Sequence, residues 1–180
     1  MLAYIGLGSN LGDGRENLLT AWARLGEVAG VKLLALSSPY ETEPVGMVSE
    51  NWFINAAGSI ETSLEPGQLL DAMHEIEAGL GRIRAENSAG PTDRSVDLDL
   101  LFWGDWISED AQLTLPHPEI AKRLFVLEPL VEIAPDHKHS VSGKTMGLLL
   151  DTLRSQLRVH GQNPQINRTT WQDNNRRQGN

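Results

Sequence analysis

The stretch from Gly90 to Phe102 constrains the chain most. It opens as a Gly-Pro turn and ends in an apolar run that can only be a buried strand. Into that strand the chain sets Asp97 and Asp99. Side chains alternate faces along a strand, so residues two apart point the same way, about 7 Å from each other. Two carboxylates therefore share one face, and Val96, Leu98, Leu100 and Phe102 are expected on the other. Aspartate is a poor strand former, and like charges this close repel. A divalent metal, or a metal pair bridged by phosphate, is the economical compensation. The alternative is a strand leaving the core with both acids solvated and Arg94 alongside.

The hydrophobic pattern surrounds this strand with a short list of elements. Leu2–Leu7 reads as a first strand, and the glycines after it (Gly8, Gly12, Gly14) carry neither G-x-x-x-x-G-K-[ST] nor G-x-G-x-x-G. They read as a tight turn into a helix capped by Asp13, which bears Leu18, Trp22 and Leu25 on one face and stops at Gly26. Val31–Ser38 and Trp52–Ile60 read as strands, and Pro39–Met47, with two prolines and a glycine, as an irregular exposed connection. A helix from Pro66 carries Leu69, Met73, Ile76 and Leu80, with Glu77 at the edge of that stripe. Beyond the Asp97 strand come a hairpin over Trp106–Leu115 and a short helix opened at His117 or Pro118 and containing Arg123. Pro129 limits where the next helical face (Leu127, Leu130, Val131, Ala134) can begin, and a last amphipathic helix carries Met146 to Leu157. The order predicts an α+β fold, a ferredoxin-like β-α-β-β-α-β core with an added hairpin and C-terminal helices. Residues 1–157 read as the domain. Residues 158–180, rich in Asn, Gln and Arg, read as a polar disordered tail.

Charge limits the partners. The chain carries a formal −9. Four arginines against one acid from Arg158 onward leave −12 on residues 1–157. So acidic a body argues against nucleic acid, and no apolar run reaches membrane-spanning length. There is no cysteine, which fits a reducing cytoplasm and excludes thiolate metal sites. Small-molecule ligands remain, and an anionic one would have to be met by local arginines.

Those arginines exist. Arg82, Arg84, Arg94 and Arg123 lie in loops or at element ends, His117 stands between two prolines, and Phe53 and Asn55 share a strand face. The set suits holding a polyphosphate with arginines and metal, and a flat heteroaromatic between ring and amide.

Taken in order, Tyr4-Ile5-Gly6-Leu7-Gly8-Ser9-Asn10, Tyr40-Glu41-Thr42-Glu43-Pro44-Val45-Gly46, Phe53-Ile54-Asn55-Ala56-Ala57, Gly81-Arg82-Ile83-Arg84, the run from Gly90-Pro91 to Asp97-Leu98-Asp99, Leu115-Pro116-His117-Pro118 and Arg123-Leu124-Phe125-Val126-Leu127-Glu128-Pro129-Leu130 closely resemble the 6-hydroxymethyl-7,8-dihydropterin pyrophosphokinase family, over roughly residues 2–157. The resemblance implies Mg²⁺-dependent transfer of an intact pyrophosphoryl group from ATP to the pterin's hydroxymethyl oxygen in folate synthesis, releasing AMP, by a cytoplasmic monomer. It implies two Mg²⁺ on Asp97 and Asp99, with Arg82 and Arg94 nearest the catalytic role. The pterin would lie between Phe53 and Phe125, its edge read by Asn55 and by the backbone of Thr42, Glu43, Pro44 and Val45. ATP would meet Glu77, Arg84, Thr114, His117, Arg123 and the backbone near Leu100. Two departures stand out. Ala89 replaces the aromatic or basic residue usual before Gly-Pro, and Thr92-Asp93 separate Pro91 from Arg94, lengthening the loop by about two residues. Near Gln112 a basic phosphate contact of some relatives is absent. Asp93 is expected to orient an arginine or compete for metal. The other readings are a pterin- or nucleotide-binding module without transfer, and a ferredoxin-like interaction domain with solvated acids.

Overall fold

Residues 1–46, 49–82 and 92–172 are described in a computed structural model. Their elements run β1 (Leu2–Ser9), α1 (Gly14–Glu27), β2 (Val31–Leu36), β3 (Tyr40–Thr42), β4 (Phe53–Thr62), α2 (Pro66–Gly79), β5 (Asp97–Trp103), β6 (Ser108–Asp110), β7 (Leu113–Leu115), a 3-10 turn (Ile120–Lys122), α3 (Leu124–Ile133), α4 (Met146–Val159) and β8 (Ile166–Arg168). One antiparallel sheet has the order β5-β1-β4-β3-β8, and β2 also pairs with β4. β4 serves two partners because it is long: its Phe53–Asn55 end faces β3, and its Gly58–Thr62 end faces β2. The expected hairpin is present as β6–β7.

Helices cover both faces of the sheet. Ala3, Ile5, Leu7, Leu98 and Leu100 point to one side and pack with Leu18, Ala21 and Leu25 of α1 and Leu69, Met73 and Ile76 of α2. Tyr4, Ala57, Leu101 and Phe102 point to the other and pack with Leu127 and Leu130 of α3 and Met146, Leu149, Leu150 and Leu153 of α4. Each fully buried side chain of this size contributes roughly 1.5–3 kcal/mol, which fixes the two helix pairs and the strands between them. At its Asp97 end β5 thus presents acids on the α3 side of the sheet.

The structure departs from the sequence pattern at five places. Phe102 does not share a face with Leu98 and Leu100. A register shift pairs Tyr4 with Phe102 but Ile5 with Leu100, so one extra residue flips everything beyond it. Pro39–Met47 is not wholly irregular: its two prolines bracket a buried three-residue strand, β3, held from both sides. Pro129 lies inside α3 rather than bounding it, and only one intrahelical bond is forgone there. Arg123 follows the 3-10 turn and stands at the N-cap of α3. The chain after 158 is not a loose tail as far as Gln172. β8 completes the sheet, and Trp171 packs against the main core with its Nε1 donating to the Ser37 carbonyl at 2.9 Å. That segment is polar because it makes an edge strand, where backbone bonds do the work of apolar side chains. Residues 173–180 of the expected tail lie outside the described residues.

α1 begins as expected, with Asp13 accepting from the Glu16 amide at 3.1 Å. It runs one residue past Gly26. That glycine lets α1 approach β2 closely, since a Cβ there would come within 2.8 Å of the Leu33 side chain.

Candidate active site

The cleft forms where the sheet face is bare. Gly6 and Gly8 of β1 lie opposite Asp99 and Asp97 on one side, and opposite Ala57 and Asn55 on the other. A Cβ on Gly8 would sit 3.2 Å from Asn55 Oδ1, and one on Gly6 3.4 Å from Leu101. Two missing side chains therefore open a floor between the acids and the Phe53–Asn55 strand. The cleft above it comprises about 640 Å³, its solvent-open mouth included. Thr42, Glu43, Val45, Phe53, Asn55, Arg94, Asp97, Asp99, Arg123 and Phe125 all line it. Sequence reasoning missed Gly6 and Gly8. Their signal is a Gly-x-Gly at strand spacing, which places both glycines on one face.

At one wall the acids meet arginines. Arg82 binds both Glu77 (2.5 Å) and Asp97, and Arg94 Nη1 binds Asp97 Oδ2 at 2.8 Å. Arg94 also lies over the Phe53 ring, 5.7 Å from its centroid, and its buried Nε has no acceptor among the described residues. Burial works against the Arg82 charge, but Asp97 and Glu77 outweigh it and raise its pKa. Asp99 is different. Burial first, and then the neighbouring Asp97, push its carboxyl up to about 6, against the pull of Arg94 and Arg123.

That shift has a consequence for stability. A carboxyl whose pKa rises on folding stabilises the protein below its unfolded value and loses this contribution as pH climbs through about 6. In metal-free protein, Asp99→Asn is expected to raise Tm at pH 8 by roughly 3 °C or more, and the gain should shrink toward nothing by pH 4. Melting curves in EDTA at both pH values check this.

Glu77 is only 1% exposed, and its Oε1 accepts from the Leu98 amide at 2.7 Å as well as from Arg82. It braces β5 and Arg82 from behind the cleft. β5 is a sheet edge, and the same open edge is used by the Leu101 carbonyl, which accepts from the His117 amide at 3.0 Å. The Leu98 N–H points to that edge as well, so alternation turns the Leu100 N–H and C=O there too, Leu101 being the extra residue of the register shift, while the Leu100 side chain sits in the core. His117 Nδ1 accepts from the Glu119 amide at 3.3 Å, and burial, then Arg123, lower its pKa. Thr114 donates to the Asp110 carbonyl at 2.9 Å within its hairpin. Arg84 lies outside the described residues, as do Ala89, Gly90 and Pro91.

Across the cleft, Asn55 Nδ2 donates to Thr42 Oγ1 at 2.8 Å, both residues being buried. Phe125, at the start of α3, has the Arg123 guanidinium 5.6 Å from its centroid. Pro44 lies in a groove beside the cleft that shares Thr42, Glu43, Val45, Arg123 and Phe125 with it. Asp93 is committed elsewhere: it accepts from Asn10 Nδ2 (2.7 Å) and Asn51 Nδ2 (3.3 Å), and hydrogen bonds, that from Ser49 foremost, hold its carboxyl below the usual range. Asn10 Oδ1 in turn accepts from the Arg94 amide at 2.8 Å, which links Asp93 to the Arg94 backbone through one asparagine.

The donor set fits Mg²⁺. Two carboxylates on one strand face, one of them destabilised by the other, supply what such an ion takes from protein when phosphate and water complete its shell. Among the described residues no three His, Asp, Glu or Cys side chains converge as a self-sufficient metal cage. Also among them, no helix is long and apolar enough to cross a membrane.

Comparison with known proteins gives concordant matches. The family model described as 7,8-dihydro-6-hydroxymethylpterin-pyrophosphokinase (HPPK) matches residues 4–135. A 2-amino-4-hydroxy-6-hydroxymethyldihydropteridine pyrophosphokinase of Methylorubrum extorquens is 45% identical over 134 residues, 74% of this chain and 83% of that protein. One of Bacillus subtilis is 45% identical over 145 residues, 80% and 85% of the two chains. The Plasmodium falciparum HPPK-DHPS crystallised with pteroate superposes with a TM-score of 0.74 at 15% identity, over 93% of this chain. This chain spans 47% of that longer one, and at such identity the match speaks for the fold alone.

Proposed function

Since the chain belongs to the 7,8-dihydro-6-hydroxymethylpterin-pyrophosphokinase family, we propose how its own residues divide the work of moving a pyrophosphoryl group from ATP to 6-hydroxymethyl-7,8-dihydropterin in folate synthesis. The observation that carries the assignment is the single cleft in which two strand carboxylates, two arginines, two phenylalanine rings and one buried amide converge. We read the β5-β1-β4-β2 part of the sheet, with α1 and α2 as crossovers, as a ferredoxin-like core whose α3-side face carries this cleft.

In this reading the pterin ring lies between Phe53 and Phe125. Its edge meets Asn55 and the backbone of Thr42 to Val45. Asn55 is already held by Thr42, so little rotamer freedom is lost on binding. Asn55→Ala is expected to raise the pterin Kd about ten- to a hundred-fold, the range for a removed partner that leaves a buried polar edge unmet. Pterin fluorescence titration measures it, with nucleotide affinity as the control. The adenine is read by the outward edge of β5 at Leu100, while His117, Thr114 and Arg123 flank the nucleotide.

Asp97 and Asp99 would hold Mg²⁺, two ions in this reading, against the triphosphate. The metal, when bound, neutralises phosphate charge and acidifies the attacking hydroxyl. The hydroxymethyl oxygen bonds to the β-phosphorus, the bond from that phosphorus to the α,β-bridging oxygen breaks, AMP leaves with that oxygen, and the hydroxyl proton is released. Such a displacement needs alignment and charge complementarity more than a strong base. Arg94, with an unspent Nε, and Arg82, drawn off Asp97, supply donors where equatorial charge gathers. The reaction is assigned to the cytoplasm and to a monomer.

Incubation with ATP, Mg²⁺ and the reduced hydroxymethylpterin tests the reading. AMP is expected only when pterin is present. Binding of both ligands without AMP would favour a non-catalytic module, and ADP as the product would contradict the reaction class.

A further inference from the structure

The C-terminal segment makes contacts that the transfer chemistry does not use. It follows the family-matched residues, which end at 135, and it touches one wall of the pterin side of the cleft and the helix that carries the other. On the first wall, β8 pairs with β3, matching Tyr40 to Arg168, Glu41 to Asn167 and Thr42 to Ile166. The pairing continues into the loop below: the Glu43 amide donates to the Gln165 carbonyl at 3.4 Å, and the Gln165 amide donates back to Glu43 Oε1 at 3.0 Å. At its other end, the Thr169 amide donates to the Pro39 carbonyl at 2.8 Å. At the far end of α3, two turns from Phe125, Arg168 Nη2 donates to Glu132 Oε1 at 2.9 Å. Glu132 in turn accepts from the Ser38 amide and from the Tyr40 hydroxyl (3.1 and 3.0 Å). One strand thus ties together the loop that bears Thr42 to Val45 and the helix that bears Phe125.

Magnitudes say which tie matters. Arg168 is exposed, and its ion pair with Glu132 belongs to a class worth under about 1 kcal/mol. The backbone ladder is the stronger restraint, because without β8 the three residues of β3 would be an open sheet edge.

We propose that β8 and the turn before it are a positioning element for the pterin subsite, setting the population of the binding-competent loop and leaving the nucleotide subsite alone. The proposal rests on the assignment of Thr42 to Val45 and Phe125 to the pterin. The apparent affinity of a ligand falls in proportion to the fraction of protein in the competent state. A loop competent about a tenth of the time would therefore bind about ten-fold more weakly.

Full-length Asn167→Pro and Asn167→Ala separate backbone from side chain. Bonds at 39/169 and 43/165 imply, by strand alternation, that the Asn167 N–H also points at β3. Proline deletes that donor and alanine keeps it. Asn167→Pro is expected to raise the pterin Kd about ten-fold, measured with a saturating non-hydrolysable ATP analogue and Mg²⁺. The affinity for that analogue and kcat at saturating pterin should stay within about two-fold of wild type, and Asn167→Ala should behave as wild type throughout. Equal weakening of pterin and nucleotide, or a wild-type pterin Kd in the proline variant, would overturn the proposal. Wild-type protein gives a second test that no folding defect can confound. Coupling is reciprocal, so pterin binding should slow hydrogen exchange at the Asn167 amide, and the nucleotide analogue alone should not. Unchanged exchange with pterin bound would overturn the proposal as well. Failure of the wild-type protein to bind pterin at all would instead remove the functional reading beneath it.

Discussion

Asp99→Asn is expected to lower the rate of pyrophosphoryl transfer by about 10³-fold or more, with the pterin affinity within a few-fold of wild type. The size follows from what the carboxylate is asked to do. Metal-borne charge stabilisation is worth several kcal/mol, and each 1.36 kcal/mol is a factor of ten in rate. Asp99 is the cleaner of the two acids to remove, since Arg82 and Arg94 are engaged by Asp97. Asparagine keeps the shape and drops the charge, so pterin stacking against Phe53 is undisturbed. The same substitution is expected to stabilise the metal-free protein at pH 8, because it relieves the burial and repulsion that push Asp99 up to about 6. Activity lost while stability is gained is the mark of a residue kept for chemistry. A variant that retains more than about a tenth of wild-type kcat would remove Asp99 from the machinery.

Arg94→Ala is expected to cost two to three powers of ten in single-turnover rate, the range for losing one transition-state donor. Substrate affinities should change far less. Arg94 stands over Phe53 with one nitrogen on Asp97 and another, buried, without an acceptor among the described residues. Its position is set from below by Asn10 and Asp93. Asp93, the residue before it, is thus tied to the same asparagine that holds the Arg94 amide. Quenched-flow measurement at saturating ATP and pterin reads the chemical step directly. A normal rate for Arg94→Ala would show that the donor for the β-phosphate lies elsewhere.

Much of this arrangement is legible in the sequence, for identifiable reasons. Strand period two puts Asp97 and Asp99 on one face without any structure in hand, and the same rule groups Phe53 with Asn55. Asp13 and the stripe Leu69, Met73, Ile76 mark α1 and α2 because capping and helical periodicity are local. What escapes is non-local. The flip of Phe102 depends on a register shift opposite Tyr4 and Ile5, which no property of residues 97–103 announces. β3 hides between two prolines because three residues are too few to show a period, although Tyr40 and Thr42 are buried, and β8 hides in a polar stretch because pairing with β3 holds it and not a burial pattern of its own. Glu77 sits at the edge of an apolar stripe in the sequence, yet it is buried behind β5 by its bonds to Leu98 and Arg82. Its position there fits bracing the site more than touching the nucleotide.

The central claim is that the two strand carboxylates hold the metal beneath the triphosphate. Titration of Mn²⁺, as a paramagnetic stand-in for Mg²⁺, in the presence of a non-hydrolysable ATP analogue and the pterin reads this by electron paramagnetic resonance. Wild-type protein is expected to take up two ions per chain in the ternary mixture, and Asp99→Asn to lose at least one of them with both organic ligands still bound. Identical Mn²⁺ uptake by the two proteins would contradict the account.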